Sequence, residues 1–275
     1  MGSKVGAEIE ASQLRKELGI EERRFDLLGL VGDAGIEVRC GQIPGGAEGL
    51  SLSLDGQDLI LIDPGCGPES RQRFTLAHEF GHQILGHSTA CFDDMIHGRP
   101  ADPHEQEANR FATSLLMPAR LFRQDIRRIH PRFEEISLLA DDYGVSLTAA
   151  TLRYTDLTND YCALLCFRPP KEPWFVKSGR ADRWRIRLEA PRDSLIASYL
   201  DGGEPAVMSP ISARAWIENF DWRSELTIRE EVRRVADQSW LVLLSELPDP
   251  DDDPDLVERE AEEELERRRM SFRRY

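Results

Sequence analysis

The chain is expected to fold as an α+β protein in two unlike parts, and three features of its sequence say so. Between residues 36 and 62, two short segments alternate apolar with polar residues, the period-two pattern of strands with one buried face, and a third, Leu59-Ile60-Leu61-Ile62, is a short apolar run that suits a more buried strand. From about residue 73 to residue 157 the apolar residues recur every third or fourth position instead, as helices packed on a core require. Beyond Asp160 strand-like segments return, now interleaved with arginine and tryptophan.

Residues 8–31 carry Ile9, Leu14, Leu18, Phe25, Leu27, Leu28 and Val31, which suits one or two opening helices broken near Gly19. Gly35 ends that pattern. Strands over 36–40, 50–54 and 59–62 follow, the last two parted by the turn signal Asp55-Gly56. A buried helix then runs through Phe74, Leu76, Ala77, Phe80, Ile84 and Leu85 and stops near Gly86. Residues 88–103, with Gly98, Pro100 and Pro103, read as an irregular crossing. The next helix spans about His104 to Leu116; Pro118 interrupts it, and another carries Leu121, Phe122, Ile126 and Ile129. From Phe133 to Leu157 the pattern is helix, turn, helix, with Gly144 in the turn and Ser146 placed to cap the second helix.

In the C-terminal part, 161–167 and 184–188 have strand character and 194–200 suits a short helix. Segments 226–235 and 239–245 pair as a hairpin, although the first also fits a helix. Past Pro248, the acidic run to Glu266 and the basic end from Arg267 read as a solvated tail. The expected divisions are therefore 1–118, a helix-turn-helix-like extension over 119–160, a smaller α/β unit over 161–247 whose role no motif reveals, and a charged tail over 248–275.

At 275 residues with 40% hydrophobic content the chain can bury a sizeable core. A net charge of −15 argues against general affinity for nucleic acid while leaving a local basic face open. No apolar run reaches the ~20 residues that span a bilayer, and no signal peptide opens the chain, so no membrane partner is expected. The five cysteines are scattered, with no Cys-x-x-Cys pair, which disfavours both a disulfide framework and a thiolate zinc site. A reducing, cytoplasmic setting is expected.

Within the buried helix lies His78-Glu79-Phe80-Gly81-His82. Four residues of α-helix return to within about 40° of the starting azimuth, so His78 and His82 face one way and can grip one metal ion. Glu79 sits about 100° round from His78, poorly placed as a ligand but near enough to reach a water beside the ion. Two imidazoles, an open position and a nearby base are the parts of a hydrolytic zinc centre. The plain alternative is a pair of hydrogen-bonded core histidines.

Such a centre needs a third protein ligand. His87 stands nine residues after His78 where the metzincin spacing asks for ten, and the glycine between is missing. The helix opening His104-Glu105-Gln106-Glu107-Ala108-Asn109 is a better source. Glu105 and Asn109 are one turn apart, so one can ligate while the other hydrogen-bonds a ligating imidazole from the second shell. Helical geometry leaves Glu107 and His104 open as well. For a second oxyanion donor, His87, His97, His104, Tyr143 and Tyr154 are all open.

The second helix of the helix-turn-helix-like segment offers Arg153 as its one basic group, too little for base reading. Arg120, Arg123, Arg127, Arg128 and Arg132 form a stripe just before it that reads as a solvated face. Direct DNA binding is therefore not expected. A bracing or protein-docking role for 119–157 is.

The block Arg71-Gln72-Arg73-Phe74-Thr75-Leu76-Ala77-His78-Glu79-Phe80-Gly81-His82, with Glu105-Gln106-Glu107-Ala108-Asn109-Arg110-Phe111-Ala112 and Leu115-Leu116-Met117-Pro118, resembles the ImmA/IrrE family of metallo-endopeptidases over roughly residues 30–160. The resemblance implies a minimal thermolysin-like (gluzincin) fold, with His78, His82 and Glu105 on one Zn²⁺ (Mn²⁺ or another divalent ion being an alternative) and Glu79 as catalytic base. It is this resemblance that selects Glu105 over Glu107. It implies cleavage of an XRE-type helix-turn-helix repressor, releasing stress-response or mobile-element genes. A sensor of the kind such proteins carry does not map onto residues 161–247. The rival is a regulatory binding protein that holds repressor or DNA while its metal site stays unused; an intact Glu79 counts against it.

Overall fold

The computed structural model describes residues 6–43, 45–54, 56–87, 102–203, 207–220, 225–236, 239–253 and, beyond these, residues 255, 256, 259 and 261. Among them the chain is a mixed α+β structure with nine α-helices and two sheets. It divides into two units: the first runs to Ile129 and takes in Glu134–Arg153, and the second comprises His130–Phe133 and the chain from Tyr154 onward. None of the described helices is long and apolar enough to cross a membrane.

The first unit opens with α1 (Gly6–Glu17) and α2 (Leu27–Asp33). Asp26 caps α2, its side chain accepting from the Gly29 N–H. Then come β1 (Glu37–Cys40), β2 (Gly49–Leu54) and β3 (Gln57–Ile62). The sheet order is β1-β3-β2, with β1 parallel and β2 antiparallel to β3. β2 is thus an edge strand, and Leu54 pairs directly with Gln57 across a two-residue turn in which Gly56 supplies the left-handed φ of 81°.

Next come α3 (Glu69–Ile84), α4 (Pro103–Leu116), α5 (Ala119–Ile126), α6 (Phe133–Tyr143) and α7 (Leu147–Leu157). Two glycines let the elements around α3 approach closely. A Cβ on Gly81 would lie 3.0 Å from the Phe111 ring of α4, and one on Gly49 of β2 would lie 2.5 Å from Thr75 Cγ2. Buried Arg15 of α1 ties down the end of α4, donating to the Leu115 carbonyl at 2.8 Å, one of the carbonyls that a helix C-terminus leaves without an internal partner. Asp125 of α5 accepts two bonds from Arg23, at 2.8 and 2.6 Å, and one from the Tyr143 hydroxyl at 2.7 Å.

α6, the turn at Gly144 and α7 form where helix, turn and helix are expected. Arg153, the one base-reading candidate of α7, is buried and donates to the Met117 carbonyl at 3.1 Å. It is an internal strut. The arginines of the α5 stripe, Arg120, Arg123, Arg127 and Arg128, are exposed.

The second unit is a five-stranded antiparallel sheet ordered β5-β4-β8-β7-β6, from β4 (Ala163–Arg168), β5 (Lys171–Lys177), β6 (Met208–Ser212), β7 (Thr227–Ala236) and β8 (Ser239–Ser245). Helices α8 (Leu195–Leu200) and α9 (Ala213–Trp216) accompany it. Its core gathers Leu165, Phe167, Trp184, Trp216, Val242 and Leu244.

Here the sequence expectations need correcting. Residues 184–188 form no strand: a single bridge joins Ile186 to Ile217. The strand-like look of that segment comes from Trp184, a fully buried core side chain whose indole N–H donates to the Pro248 carbonyl at 2.7 Å. β5 and β6 were not expected, because Pro173 and Pro210 interrupt their patterns; they lie at the two edges of the sheet, where proline is tolerated. The hairpin expected of 226–235 and 239–245 does form, as β7 paired antiparallel with β8, and only the helical alternative for its first segment falls away. The supposed tail does not begin at residue 248, since Pro250 and Leu256 are buried and Leu256 belongs to the core. The expected crossing lies outside the described residues for 88–101.

Candidate metal centre

α3 carries His78, Glu79 and His82, all buried. One helical turn brings the Nε2 atoms of His78 and His82 to 3.0 Å. From α4, Glu105 sets Oε2 at 3.2 Å from His78 Nε2 and Oε1 at 3.4 Å from His82 Nε2. Ligand atoms of these three side chains lie within 4.8 Å of one another, and no other such trio occurs among the described residues.

The set suits a cation. Asn109 Oδ1 stands 3.0 Å from His78 Nδ1; an amide oxygen only accepts, so Nδ1 carries the proton and Nε2 is left with its lone pair. That lone pair, a second imidazole nitrogen and a carboxylate then face one buried point. Such crowding is costly unless a positive charge joins it, and two nitrogens with one carboxylate are a known donor set of catalytic zinc.

Glu79 stands apart from the trio. Its carboxylate lies against β2, where a Cβ on Gly49 would come within 2.9 Å of Oε1, and it hydrogen-bonds the Ser51 side chain. Burial pushes the Glu79 carboxyl above the usual carboxylate range, while His78, His82 and the Ser51 bond pull it back. A carboxylate so raised is a better proton acceptor.

The structure brings three of the five expected site residues, His78, His82 and Glu105, around one point, with Asn109 behind His78 and Glu79 beside them. His104 and Glu107, the other candidates for third ligand, lie elsewhere: His104 stacks on His87 with ring centroids 4.3 Å apart, and Glu107 pairs with His87 at 3.2 Å. Tyr143 and Tyr154 drop out as oxyanion donors, because both are fully buried with hydroxyls given to Asp125 and Asp160. His97 lies outside the described residues. Sequence reasoning missed the position of His87 beside His82, with Nδ1 atoms 2.9 Å apart. The available signal was Gly86, the left-handed residue that ends α3 and turns the next side chain back over the last turn.

Residues 33–155 match the family model for the IrrE N-terminal-like domain, Peptidase_M78. They belong to the ImmA/IrrE family. The radiation response metalloprotease IrrE of Deinococcus radiodurans is 32% identical over 122 residues, 42% of this chain and 37% of that protein. Its namesake from Deinococcus deserti is 36% identical over 104 residues, 36% of this chain and again 37% of the relative. This chain thus spans little more than a third of either IrrE protein. A solved Mycobacterium tuberculosis transcriptional regulator shares the fold at TM-score 0.56 over 86% of both chains, at 15% identity. Membership in the ImmA/IrrE family, with its metalloproteases, implies a divalent metal, and in this chain the His78, His82 and Glu105 trio could hold one.

Proposed function

We propose that the first unit is a zinc-dependent endopeptidase of gluzincin type, with His78, His82 and Glu105 as ligands, Glu79 as base and Asn109 orienting His78. The convergence of two imidazoles and a carboxylate on one buried point, with a second carboxylate poised beside it, carries this reading. Zinc, when bound, supplies Lewis acidity that lowers the pKa of water towards about 7 and polarises a peptide carbonyl. Glu79 takes the proton from the attacking water and returns it to the leaving amine. Its raised proton affinity and its bond to Ser51 keep it ready in place.

Substrate binds as an added strand on the outer edge of β2. Among the described residues β3 is the one strand paired with β2, and edge pairing selects extended backbone before side-chain identity. Gly49 keeps that edge close to Glu79. The substrate we propose is an XRE-type repressor, cleaved in the cytoplasm to release stress-response or mobile-element genes, as the likeness to radiation response metalloproteases supports. The exposed arginines of α5 dock that protein, and the inward turn of Arg153 speaks against α7 as a reader of DNA.

The test is metal-dependent cleavage of a repressor encoded beside this gene. One zinc per chain and cleavage abolished by chelation are expected, with His78→Ala or His82→Ala stripping the metal. Full metal content in both variants would refute the site.

A further inference from the structure

The two histidines of the centre are backed differently, and the difference points to two residues with no assigned role. His78 leans on an amide, Asn109. His82 leans on a second histidine: its Nδ1 lies 2.9 Å from His87 Nδ1, and His87 Nε2 lies 3.2 Å from Glu107 Oε2. We propose that His87 and Glu107 form a positioning relay for His82, fixing the proton on its Nδ1 and so leaving Nε2 as the ligand atom. The proposal rests on the metal-centre reading above and goes beyond it.

The proton positions follow link by link. A ligating His82 Nε2 must be bare, so the ring proton sits on Nδ1 and needs an acceptor. The atom in line is His87 Nδ1, which accepts only if the His87 proton is on Nε2. That proton in turn needs an acceptor, and the Glu107 carboxylate oxygen supplies it. The chain runs from carboxylate through imidazole to imidazole, one link longer than the carboxylate–histidine–metal arrangement common at zinc sites.

Local backbone rules explain why these residues meet. α3 ends in a Schellman-type cap: the Gly86 N–H bonds the Gln83 carbonyl at 3.1 Å and the His87 N–H bonds the His82 carbonyl at 2.9 Å. Gly86 has a φ of 69°, which a residue with a Cβ adopts only at a cost. This cap sets the residue after the glycine beside the residue five before it, a place more often filled by an apolar contact. Here two imidazoles fill it. The His87 side chain is only 5% exposed, and the stacked His104 ring, 17° from parallel, holds its plane.

The test measures metal affinity, by chelator competition with Zn²⁺ and by the visible absorption of the Co²⁺-substituted protein, with circular dichroism to confirm folding. His87→Ala should weaken binding about 10–100-fold and alter the Co²⁺ spectrum. Glu107→Gln, at a side chain 20% exposed and so safer for folding, should weaken binding less. In the His87→Ala background it should do nothing more, because Glu107 acts through His87. His87→Gln, which keeps an acceptor, should recover part of the loss. Unchanged affinity and spectrum in the single variants would overturn the relay, as would additive losses in the double variant. A wild-type protein that takes up no metal would be a different result and would bring down the metal centre itself.

Discussion

Both units bury carboxylates, yet they use them in opposite ways. In the second unit Glu230 is fully buried and accepts from the first backbone N–H groups of α8, those of Leu195 and Ile196, at 3.1 and 3.2 Å. Its neighbour Glu231 accepts from the Phe133 N–H at 2.9 Å. These charges are spent on the backbone donors that helix starts leave over. In the first unit Glu105 faces the imidazoles of His78 and His82, its oxygens turned to a point where a ligand can sit, and Glu79 lies buried beside that point. A buried charge marks a candidate site only when its partners are side chains aimed at a common centre.

The sharpest break in that comparison is Glu79→Gln. It should keep metal and fold yet lose about 10²–10⁴-fold in cleavage rate, measured against the repressor with metal content checked in parallel. Removing a carboxylate from the second unit should leave cleavage per folded molecule untouched.

Second in size is Gly49→Ala. Alanine normally suits a strand better than glycine, but this Cβ would meet Thr75 Cγ2 at 2.5 Å and Glu79 Cγ at 2.8 Å. The expected cost is about 1–3 kcal/mol in stability, together with reduced cleavage because β2 or Glu79 must shift. Urea unfolding and steady-state kinetics check the two parts.

A pH titration separates the units by sign. Burial raises the Glu230 carboxyl above its ordinary value of 4.5. Its contribution to stability is therefore full below pH 4.5 and is lost as pH rises through the folded value. Asp125 is held below 3.8, chiefly by Arg23, so its contribution is present above that value and is lost as pH falls further. All five tryptophans lie beyond residue 160, so tryptophan fluorescence follows the second unit alone. In that signal Glu230→Gln should flatten the loss of stability above pH 4.5.

The smallest effect expected is from Arg123→Glu with Arg127→Glu. These exposed positions should change stability by no more than about 0.5 kcal/mol and leave zinc content alone. The repressor KM should rise several-fold. Salt-sensitive, sub-micromolar binding of duplex DNA, abolished by the same pair, would assign the stripe to nucleic acid instead.

What was legible in the sequence was whatever depends on local period. The i, i+4 spacing of His78 and His82, the one-turn offset of Glu105 and Asn109, and the turn that joins β2 to β3 all survive in the structure. What failed depends on distant neighbours. Nothing local says that Arg153 will turn to the Met117 carbonyl, or that Trp184 fills a core rather than a strand. Prolines hid β5 and β6 because their tolerance at a sheet edge is known only once the sheet order is known. The partnership of His87 with Glu107 crosses from one helix end to another helix, and spacing alone cannot supply it.

The two helices that supply the trio are far apart in the order of chain closure. β2 and β3 meet across two residues, a cheap loop, whereas His78 of α3 and Glu105 of α4, which also meet, are much further apart along the sequence. The entropy of closing a loop grows with its length. An ion gripped by both helices would therefore act as a clasp on that closure, binding the folded chain far better than the unfolded one. Chelation should then lower the unfolding temperature of this unit as well as stop its chemistry.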